Sequence, residues 1–441
     1  MVSAYNRVWE EADSMLIQFN FKNFKSFRDE VSLDMTATKI TEHPAHVVDF
    51  GGDKLLSAAA IYGSNASGKS NVYEAFAFMR EYVTSSFFFG GNTDRKGESF
   101  PVVTPFLFDR DSRNQPSEFE VFYVDNTDEK ERTYQYGFVL QGTEVLEEWL
   151  YSKAKTSKKD YRTIFYRKKG EELEADGLPR KAVTNLKNAL MKETLIVSLG
   201  AKLNIPKLTQ VYDWFSKNEA IHLTDIGDEF SRSSDLPEGF VTDSAVREDV
   251  LNYLSSFDES IVDFEIEEIR RSDDEVLGKT YVIHTIHRLP DGEFQSILLK
   301  NESNGTRKML ALYRPLRYAL DHGGVIFIDE MNDRLHPLLG RNIILSFLSP
   351  ETNPNHAQLI FTTHDVWQFT NELLRRDELW VTDKNDDGVS TLYSVAEFKD
   401  ADGRKIRRDE ALVKNYLVGN YGGVPELKPL FRNGRRNPDG Q

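Results

Sequence analysis

The stretch "GSNASGKS", residues 63–70, follows the apolar run "LLSAAAIY" and leads into the segment "NVYEAFAFMREYV". The run predicts a buried strand, and the segment predicts a helix because its apolar residues recur at helical spacing. The stretch fits the pattern G-x-x-x-x-G-K-[ST], which between a strand and a helix is typical of a phosphate-binding loop, or P-loop. A glycine-rich turn that binds nothing is the alternative interpretation. Together the three segments predict an α/β fold with a nucleotide site.

Each residue type in this loop suits phosphate binding. Backbone N–H groups at the start of a helix point toward bound anions. The Lys69 ammonium would reach the β- and γ-phosphates, and the Ser70 hydroxyl would bind Mg²⁺. We therefore predict ATP and Mg²⁺ as ligands. The predicted contact residues are Gly63, Ser64, Asn65, Ala66, Ser67, Gly68, Lys69, Ser70 and Asn71.

A second apolar run, "GVIFIDE", ends in two carboxylates, Asp329 and Glu330. An acidic residue at the carboxyl end of a buried parallel strand is well placed to hold Mg²⁺, so we expect Asp329 to be a metal ligand. Glu330 would polarise the attacking water as a general base. A buried strand that ends in Asp-Glu is common. Its significance here depends on its pairing with the P-loop.

Two further polar clusters interrupt apolar segments. "LIFTTHD" predicts a strand that ends near His364, 34 positions after Glu330, and this side chain would donate a hydrogen bond to the γ-phosphate. A surface histidine is the alternative. "ESNGTRK" places Ser303, Gly305 and Thr306 before the helical segment "RKMLALYRPLRYAL". An ordinary helix N-cap by Ser303 or Thr306 would explain that turn locally.

The composition excludes several classes of protein. The chain has 441 residues, which suggests two or three domains, and a net charge of −16, which opposes binding nucleic acid by charge alone. A local basic groove stays open. The absence of cysteine excludes disulfides, cysteine-bound zinc and thiol catalysis. The sequence has no apolar run of the roughly 18 residues that span a bilayer. We expect a soluble, cytoplasmic protein, in which the residues before Met15 are either a polar leader or the result of a misplaced start.

The pattern along the chain predicts three parts. Residues 1–99 contain a β-hairpin around "NFKSF" and the P-loop, and residues 300–441 contain the Asp-Glu and His strands. Residues 100–299 form an insert, with aromatic alternating segments to residue 168, helical segments to about residue 254, and strands after that. Within the insert, the basic run at residues 153–170 allows either a solvated hairpin or a contact with nucleic acid.

In order and spacing these motifs resemble the ATPase heads of the ABC type, particularly the SMC, RecF and OLD branch. The P-loop of that branch commonly reads G-x-N-x-x-G-K-S, which Asn65 matches. The resemblance implies an α/β head with a mixed sheet, a flanking antiparallel sheet and helices, and an inserted α+β subdomain. It also implies head-to-tail dimers that enclose two ATP molecules. Ser303, Gly305 and Thr306 would then form the signature turn, which caps the γ-phosphate held by the P-loop of the partner.

A more specific resemblance is to bacterial AAA-family ATP-binding proteins found beside nucleases in phage-defence operons, of the RloA and AbiL type. It is carried by "NFKSF", "ESNGTRK", "DEMNDRLHPLL", "FTTHD" and "YLVGNYGGVPEL". It implies a sensor or regulator of a separately encoded nuclease or toxin, and it implies that Lys25 approaches the nucleotide. A solvated lysine is the alternative for Lys25. Asn332 departs from the family pattern, because an aspartate is usual at this position.

Three other interpretations are less well supported. A RecF- or SMC-like clamp on DNA would use the same motifs, but the acidic charge and the lack of long coiled-coil heptads oppose it. We expect no nuclease domain, because only 77 residues follow His364 and no cysteine or HNH-like cluster is present. His284 and His287 lie three apart on a predicted strand and face opposite sides, so we do not expect them to share a metal.

Overall fold

The structure is a computed structural model, and it describes residues 14–50, 52–89, 101–126, 132–154, 157, 160–223, 236–237, 239–269, 280–332, 335–399 and 411–425. Residues 1–13 of the predicted leader, the polar loop at residues 90–100 and the polar end after residue 430 lie outside these residues, as does part of the basic run.

The strands of the described residues fall into four sheets. They are β1 (Ser14–Lys22), β2 (Val31–Asp34), β3 (Val47–Phe50), β4 (Asp53–Leu56), β5 (Ala58–Gly63), β6 (Ser117–Asp125), β7 (Arg132–Gln141), β8 (Glu144–Ala154), β9 (Arg162–Lys168), β10 (Glu219–His222), β11 (Ile261–Ile269), β12 (Thr280–Arg288), β13 (Phe294–Leu298), β14 (Val325–Asp329), β15 (Gln358–Thr362), β16 (Leu379–Lys384) and β17 (Ser390–Ser394).

The helices pack between and around these sheets. They are α1 (Lys69–Phe89), α2 (Arg180–Ala189), α3 (Ile196–Lys202), α4 (Pro206–Lys217), α5 (Ser244–Ser255), α6 (Asn304–His322), α7 (Pro337–Leu348) and α8 (Leu412–Leu417). Among the helices of the described residues, none combines the length and apolarity that crossing a bilayer requires.

The central sheet has the order β10-β14-β15-β5-β16-β17, and its first five strands are parallel. Strands β5, β14 and β15 are buried at every position, as expected of parallel strands covered on both faces. The carboxyl ends of parallel strands meet at one edge of a sheet. The residues that follow β5, β14 and β15 therefore lie at the same edge, which is where the P-loop, Glu330 and His364 are found.

Two hydrophobic cores cover the two faces of the central sheet. Along β5, Ala59 and Ile61 join the core shared with α1 and the antiparallel sheet, while Ala60 and Tyr62 join the core shared with α6 and α7. The antiparallel sheet has the order β2-β1-β6-β7-β8-β9, and a separate three-stranded sheet has the order β11-β12-β13. The predicted fold class, an α/β fold with a mixed sheet, flanking antiparallel sheets and helices, is confirmed.

Residues 100–299 contribute strands to both large sheets. Strand β6 pairs with β1, and β10 pairs with β14 at the edge of the central sheet. The division at residues 99 and 299 remains a prediction about domains. The amphipathic pattern of residues 182–195 predicts one helix over the whole segment, and this prediction is too long. The segment "AVTNLKNALMKETL" is helical only to Ala189, because the carbonyl of Lys192 accepts a hydrogen bond from the Val145 N–H at 2.9 Å and joins the sheet.

The alternating segments predicted before residue 168 are residues 117–124, 132–140 and 160–168, which form β6, β7 and β9. Strand β8 was not among them, because adjacent glutamates interrupt its alternation. The structure buries Glu148 completely and satisfies its carboxylate. The carboxylate accepts hydrogen bonds from the N–H groups of Ile196 (2.8 Å) and Val197 (3.2 Å) and from the Tyr136 hydroxyl (3.1 Å). The Arg167 Nε lies 3.2 Å from Glu148 Oε2. Burial raises the pKa of Glu148, and Arg167 and the N–H donors oppose that rise.

Glu148→Ala should therefore be strongly destabilising. The substitution leaves the Arg167 guanidinium without its buried partner, which costs about 3–5 kcal/mol. Urea denaturation followed by circular dichroism measures the loss. Glu144→Ala, in the same strand, is the matched control, because Glu144 is partly exposed and pairs with the exposed Lys169. That pair is worth about 0–1 kcal/mol. Equal losses in the two variants would contradict the role assigned to Glu148.

Candidate functional site

Two glycines shape the P-loop. A Cβ at Gly63, whose φ is +153°, would lie 2.3 Å from Thr382 Oγ1, and a Cβ at Gly68, whose φ is +117°, would lie 2.8 Å from Ser390 Oγ. Both positions therefore combine a backbone conformation that favours glycine with no room for a side chain. The Ser67 and Thr382 hydroxyls are 2.6 Å apart. These contacts hold the loop against β16.

Lys69, the first residue of α1, is folded over its own loop. Its side chain is almost fully buried, and Nζ donates hydrogen bonds to the carbonyls of Gly63 (2.8 Å) and Ser64 (3.0 Å). Burial lowers the pKa of Lys69 to about 8, although Asp329 and Glu330 oppose that shift. The two carboxylates therefore stabilise the charged form of Lys69 across the edge of the central sheet. An anion bound in the loop would therefore interact with an ammonium group that is already desolvated.

We expect the affinity for ATP to fall as the pH rises above 8. Phosphates bind the charged ammonium, and the pKa of Lys69 is about 8 before they bind. The affinity is therefore highest below pH 8. Above pH 8 it declines by about tenfold per pH unit, until the pH reaches the higher pKa that Lys69 has when phosphate is bound. Isothermal titration calorimetry across this range measures the decline. Lys69→Arg should abolish it, because arginine stays charged. An unchanged affinity in the wild type would contradict the assignment.

Asp329 has the properties of a metal ligand. Its side chain is completely buried, and Oδ1 accepts a hydrogen bond from the Thr362 hydroxyl. Its Oδ2 has no hydrogen-bond partner among the described residues and lies 3.4 Å from His222 Nε2. A buried carboxylate oxygen without a donor is costly unless a cation is bound. With the Ser70 hydroxyl at the start of α1 it provides the oxygen ligands that Mg²⁺ prefers. Asp329 and Ser70 are therefore suitable ligands for Mg²⁺.

The described residues contain no group of three or more His, Asp or Glu side chains that could enclose a metal ion. A magnesium site with few protein ligands is nevertheless usual where substrate phosphates supply the remaining oxygens.

Glu330 has an unusual backbone conformation. Its φ is 53°, in the left-handed region, and its N–H donates a hydrogen bond to Thr362 Oγ1 at 2.8 Å. Non-glycine residues in this region are uncommon and concentrate at functional sites. The Thr362 hydroxyl therefore connects Asp329 and Glu330. Thr362 was not predicted from the sequence, in which the only indication was a threonine at the end of an apolar strand.

His364 lies at the same edge of the sheet, two residues after β15, and is exposed. Partial desolvation and then the nearby Lys69 ammonium lower the pKa of His364, while Asp329 opposes the shift. The ring is therefore neutral at pH 7, and a neutral imidazole can still donate one N–H hydrogen bond.

Lys25 approaches α1, although not as an open cation. Its backbone φ is 51°, its N–H donates to the carbonyl of Thr104 at 2.9 Å, and its ammonium pairs with Glu74. The neighbouring Ser26 hydroxyl accepts a hydrogen bond from Asn71 Nδ2 at 2.6 Å. The "NFKSF" turn is thus attached to the first turns of α1. The role of Lys25 toward the nucleotide remains a prediction.

The predicted signature turn lies at the start of α6. Ser303 is the N-cap, and its Oγ accepts the Thr306 N–H at 3.1 Å and lies 2.8 Å from the Thr306 hydroxyl. A Cβ at Gly305 would meet only Ser303 Oγ, at 3.7 Å, so the turn is open on its outer side. Within the described part of the chain, no hydrogen bond joins this turn to the P-loop. The N-cap interpretation is locally correct, and contact of this turn with a phosphate remains a prediction.

The departure at Asn332 has a local explanation. Its Nδ2 donates a hydrogen bond to Asp365 Oδ2 at 2.9 Å, and its Oδ1 accepts one from the Thr363 hydroxyl at 3.2 Å. Asp365 follows His364 directly, and its other oxygen accepts the Trp367 N–H at 2.9 Å. An aspartate at position 332 would place two carboxylates in contact. The amide instead connects the loop after Glu330 with the loop that carries His364.

Asn332→Asp should destabilise the protein, and Asp365→Asn should reverse the effect. The single substitution replaces a charge-assisted hydrogen bond by two facing carboxylates, at a cost of about 1–3 kcal/mol. In the double variant the donor and acceptor are exchanged across the same pair. Thermal denaturation of the four proteins gives the coupling energy. If the effects of the two substitutions are additive, the hydrogen bond between Asn332 and Asp365 does not explain why asparagine occupies position 332.

Two more residues near the site were missed by the sequence analysis. His222 ends β10 and pairs in register with Asp329, while its ring packs edge-on against Tyr73 of α1. A Cβ at Gly423, whose φ is +66°, would lie 3.4 Å from the Gly63 Cα and 2.5 Å from Val381 Cγ1. The segment after α8 therefore packs against the first residue of the P-loop. In the sequence, His222 is recognisable only as a polar residue at the end of a strand, and Gly423 only as one of two adjacent glycines.

Several solved structures are similar to this chain. The SMC head domain from Thermotoga maritima is 15% identical, with 86% of this chain and 98% of that chain covered and a TM-score of 0.39. The SmcHead bound to the C-winged helix domain of ScpA is 13% identical, with 86% and 97% covered and a TM-score of 0.39. The recombination mediator protein RecF is 12% identical in one structure, with 87% and 100% covered and a TM-score of 0.35.

No curated protein matches the chain. One family does match, over residues 58–366, a span that begins with β5 and ends just beyond His364. This span includes the P-loop, the signature turn and the Asp-Glu strand, and it covers more than half of the chain. The protein therefore belongs to the family described as "AAA domain, putative AbiEii toxin, Type IV TA system".

Proposed function

We propose that the protein is an ATPase that binds ATP with Mg²⁺ at the P-loop and hydrolyses it. The main support is the convergence of Lys69, Asp329 and Glu330 at one edge of the central sheet, where both carboxylates act on the lysine. His364 lies within the electrostatic reach of the same ammonium. Membership of an AAA-domain family agrees with this proposal.

Each residue of the site has a separate role in the proposed reaction. The N–H groups of the P-loop and the Lys69 ammonium bind the β- and γ-phosphates, and Glu330 accepts a proton from the attacking water. Neutral His364 donates a hydrogen bond to the γ-phosphate as charge develops on it. Ser70 and Asp329 would hold Mg²⁺, which neutralises phosphate charge when it is bound.

The proposed ATPase works as a head-to-tail dimer. The signature turn of Ser303, Gly305 and Thr306 is open on its outer side, and its N–H groups begin a helix of 19 residues, which favours an anion. Among the described residues, no hydrogen bond joins this turn to the P-loop of the same chain. A second copy would supply the missing contact to each γ-phosphate. ATP binding then closes the dimer, and hydrolysis opens it.

The proposed biological role is that of a sensor or regulator in phage defence, acting on a separately encoded nuclease or toxin. The family description names a putative toxin of a type IV toxin–antitoxin system, which supports a role in such a system. A clamp on DNA is less well supported. In the basic hairpin of β8 and β9, Lys168 pairs with Glu171 and Lys169 pairs with Glu144, so its charges are partly balanced.

Affinity capture tests this role. Tagged Glu330→Gln protein is purified from its native cells with ATP and Mg²⁺, and the bound proteins are identified by mass spectrometry. We expect a nuclease or toxin encoded in the same operon, and we expect Lys69→Ala, purified in parallel, not to retain it. Recovery of DNA and repair proteins without an operon partner would favour the clamp and reject the defence role.

A further inference from the structure

We propose that Glu302 and His287 form a positioning pair that fixes the signature turn, so that the three-stranded sheet controls hydrolysis at the P-loop of the partner subunit. This inference rests on the proposed head-to-tail ATPase. It assigns a regulatory function to residues outside the P-loop and the Asp-Glu strand.

Glu302 directly precedes the N-cap Ser303 and is 9% exposed. One of its carboxylate oxygens accepts hydrogen bonds from the Thr285 hydroxyl and from His287 Nε2, the latter at 2.7 Å. Thr285 and His287 are two residues apart on β12 and therefore face the same side of the three-stranded sheet. A buried carboxylate is tolerated only when it is hydrogen-bonded. These contacts therefore attach the entry of α6 to that sheet.

A second layer of contacts holds His287 in turn. The Ser260 hydroxyl oxygen lies 2.8 Å from His287 Nδ1 and 2.6 Å from Asp258 Oδ1. Asp258 lies between α5 and β11. A continuous series of polar contacts thus runs from that connection, through β12, to the residue before the signature turn. Displacement of the sheet would be transmitted to Ser303 by these contacts.

The rest of α6 is held independently of Glu302. The Tyr253 hydroxyl of α5 donates to the carbonyl of Met309 at 3.1 Å, and Met309, Leu312 and Leu316 are buried in the core under the central sheet. Loss of Glu302 should therefore shift the first turn of α6 and leave the body of the helix in place. Misplacement of a group by about 1 Å can lower a rate about 100-fold. The expected defect is in hydrolysis rather than in folding.

The test depends on the proposal that each site combines the P-loop of one chain with the signature turn of the other. Glu302→Ala retains its own P-loop and lacks a fixed signature turn, whereas Lys69→Ala retains the turn and lacks the P-loop lysine. The two purified variants are mixed in equal amounts with ATP and Mg²⁺, so that about half of the dimers that form are mixed. One of the two sites in each mixed dimer is complete, and we expect about a quarter of the wild-type rate of ATP hydrolysis. Each parent alone should show about 1–10% of that rate.

Three controls separate positioning from structural damage. Glu302→Gln keeps an acceptor oxygen for Thr285 and His287 and should retain most of the activity. Glu293→Gln removes an exposed carboxylate from the turn between β12 and β13 and should change nothing. ATP binding to the Glu302→Ala monomer, measured with a fluorescent analogue, should match that of the wild type, because its P-loop is intact.

The outcomes distinguish the two proposals. Recovery in mixed dimers supports the positioning role. An active wild type with no recovery in mixed dimers would overturn the positioning role and leave the ATPase proposal intact. A wild type that neither hydrolyses ATP nor dimerises would overturn the proposed function, and the inference with it.

Discussion

Glu330→Gln is expected to lower the rate of ATP hydrolysis by about 10²- to 10⁴-fold, the usual contribution of a general base. Glutamine keeps the shape of the side chain and loses the group that accepts the proton from water. The left-handed backbone at position 330, held by Thr362, should persist because glutamine imposes no new backbone constraint. Steady-state phosphate release measures the effect. Glu351→Gln, which alters an exposed glutamate after α7, should retain the wild-type rate.

The same variant should accumulate the closed dimer. ATP binding depends on the P-loop and Lys69, which the substitution leaves unchanged, whereas reopening requires hydrolysis. Size-exclusion chromatography with light scattering should show a dimer of Glu330→Gln with ATP and Mg²⁺, and a monomer when nucleotide is removed. Hydrolysis at the wild-type rate would reject Glu330 as the base. Loss of hydrolysis without an ATP-dependent dimer would reject the dimer mechanism and leave Glu330 as the base.

The central sheet was predictable because its strands carry local signals. Strands β5, β14 and β15 are continuous apolar runs, and each is followed by a polar group with a recognisable role. Strand β8 was not predictable, because the carboxylate of Glu148 is satisfied by Ile196 and Val197, almost fifty residues away in sequence. Only the folded chain reveals that this glutamate belongs in the core.

Residues that connect the loops of the site were also beyond local prediction. Asn332 marks a departure from a family pattern in sequence, and its reason is visible only beside Asp365, 33 residues later. Glu302 and Thr362 bond to partners on other strands, at positions set by strand register. The sequence therefore identified residues expected to touch phosphate or metal, and missed the residues that orient them.

Lys69→Ala is expected to weaken ATP binding by about 10- to 100-fold, because hydrogen bonds from a charged donor to phosphate are worth about 1.5–3 kcal/mol. Isothermal titration calorimetry at pH 7 measures the affinity. Lys414→Ala removes an exposed positive charge from α8 and serves as the matched control. An unchanged affinity in Lys69→Ala would reject the P-loop assignment.

The same substitution should not destabilise the nucleotide-free protein. The pKa of Lys69 is about 8 in the folded state, below its ordinary value of 10.5, so below pH 8 burial of the charged ammonium opposes folding. This cost disappears as the pH rises from 8 toward 10.5, since the unfolded chain then binds more protons than the folded chain. Lys69→Ala removes the cost at pH 7. Thermal denaturation should therefore give an equal or higher Tm without nucleotide and a smaller rise in Tm when ATP is added. A lower Tm without nucleotide would mean that the bonds from Lys69 to Gly63 and Ser64 stabilise the loop by more than burial of the charge costs.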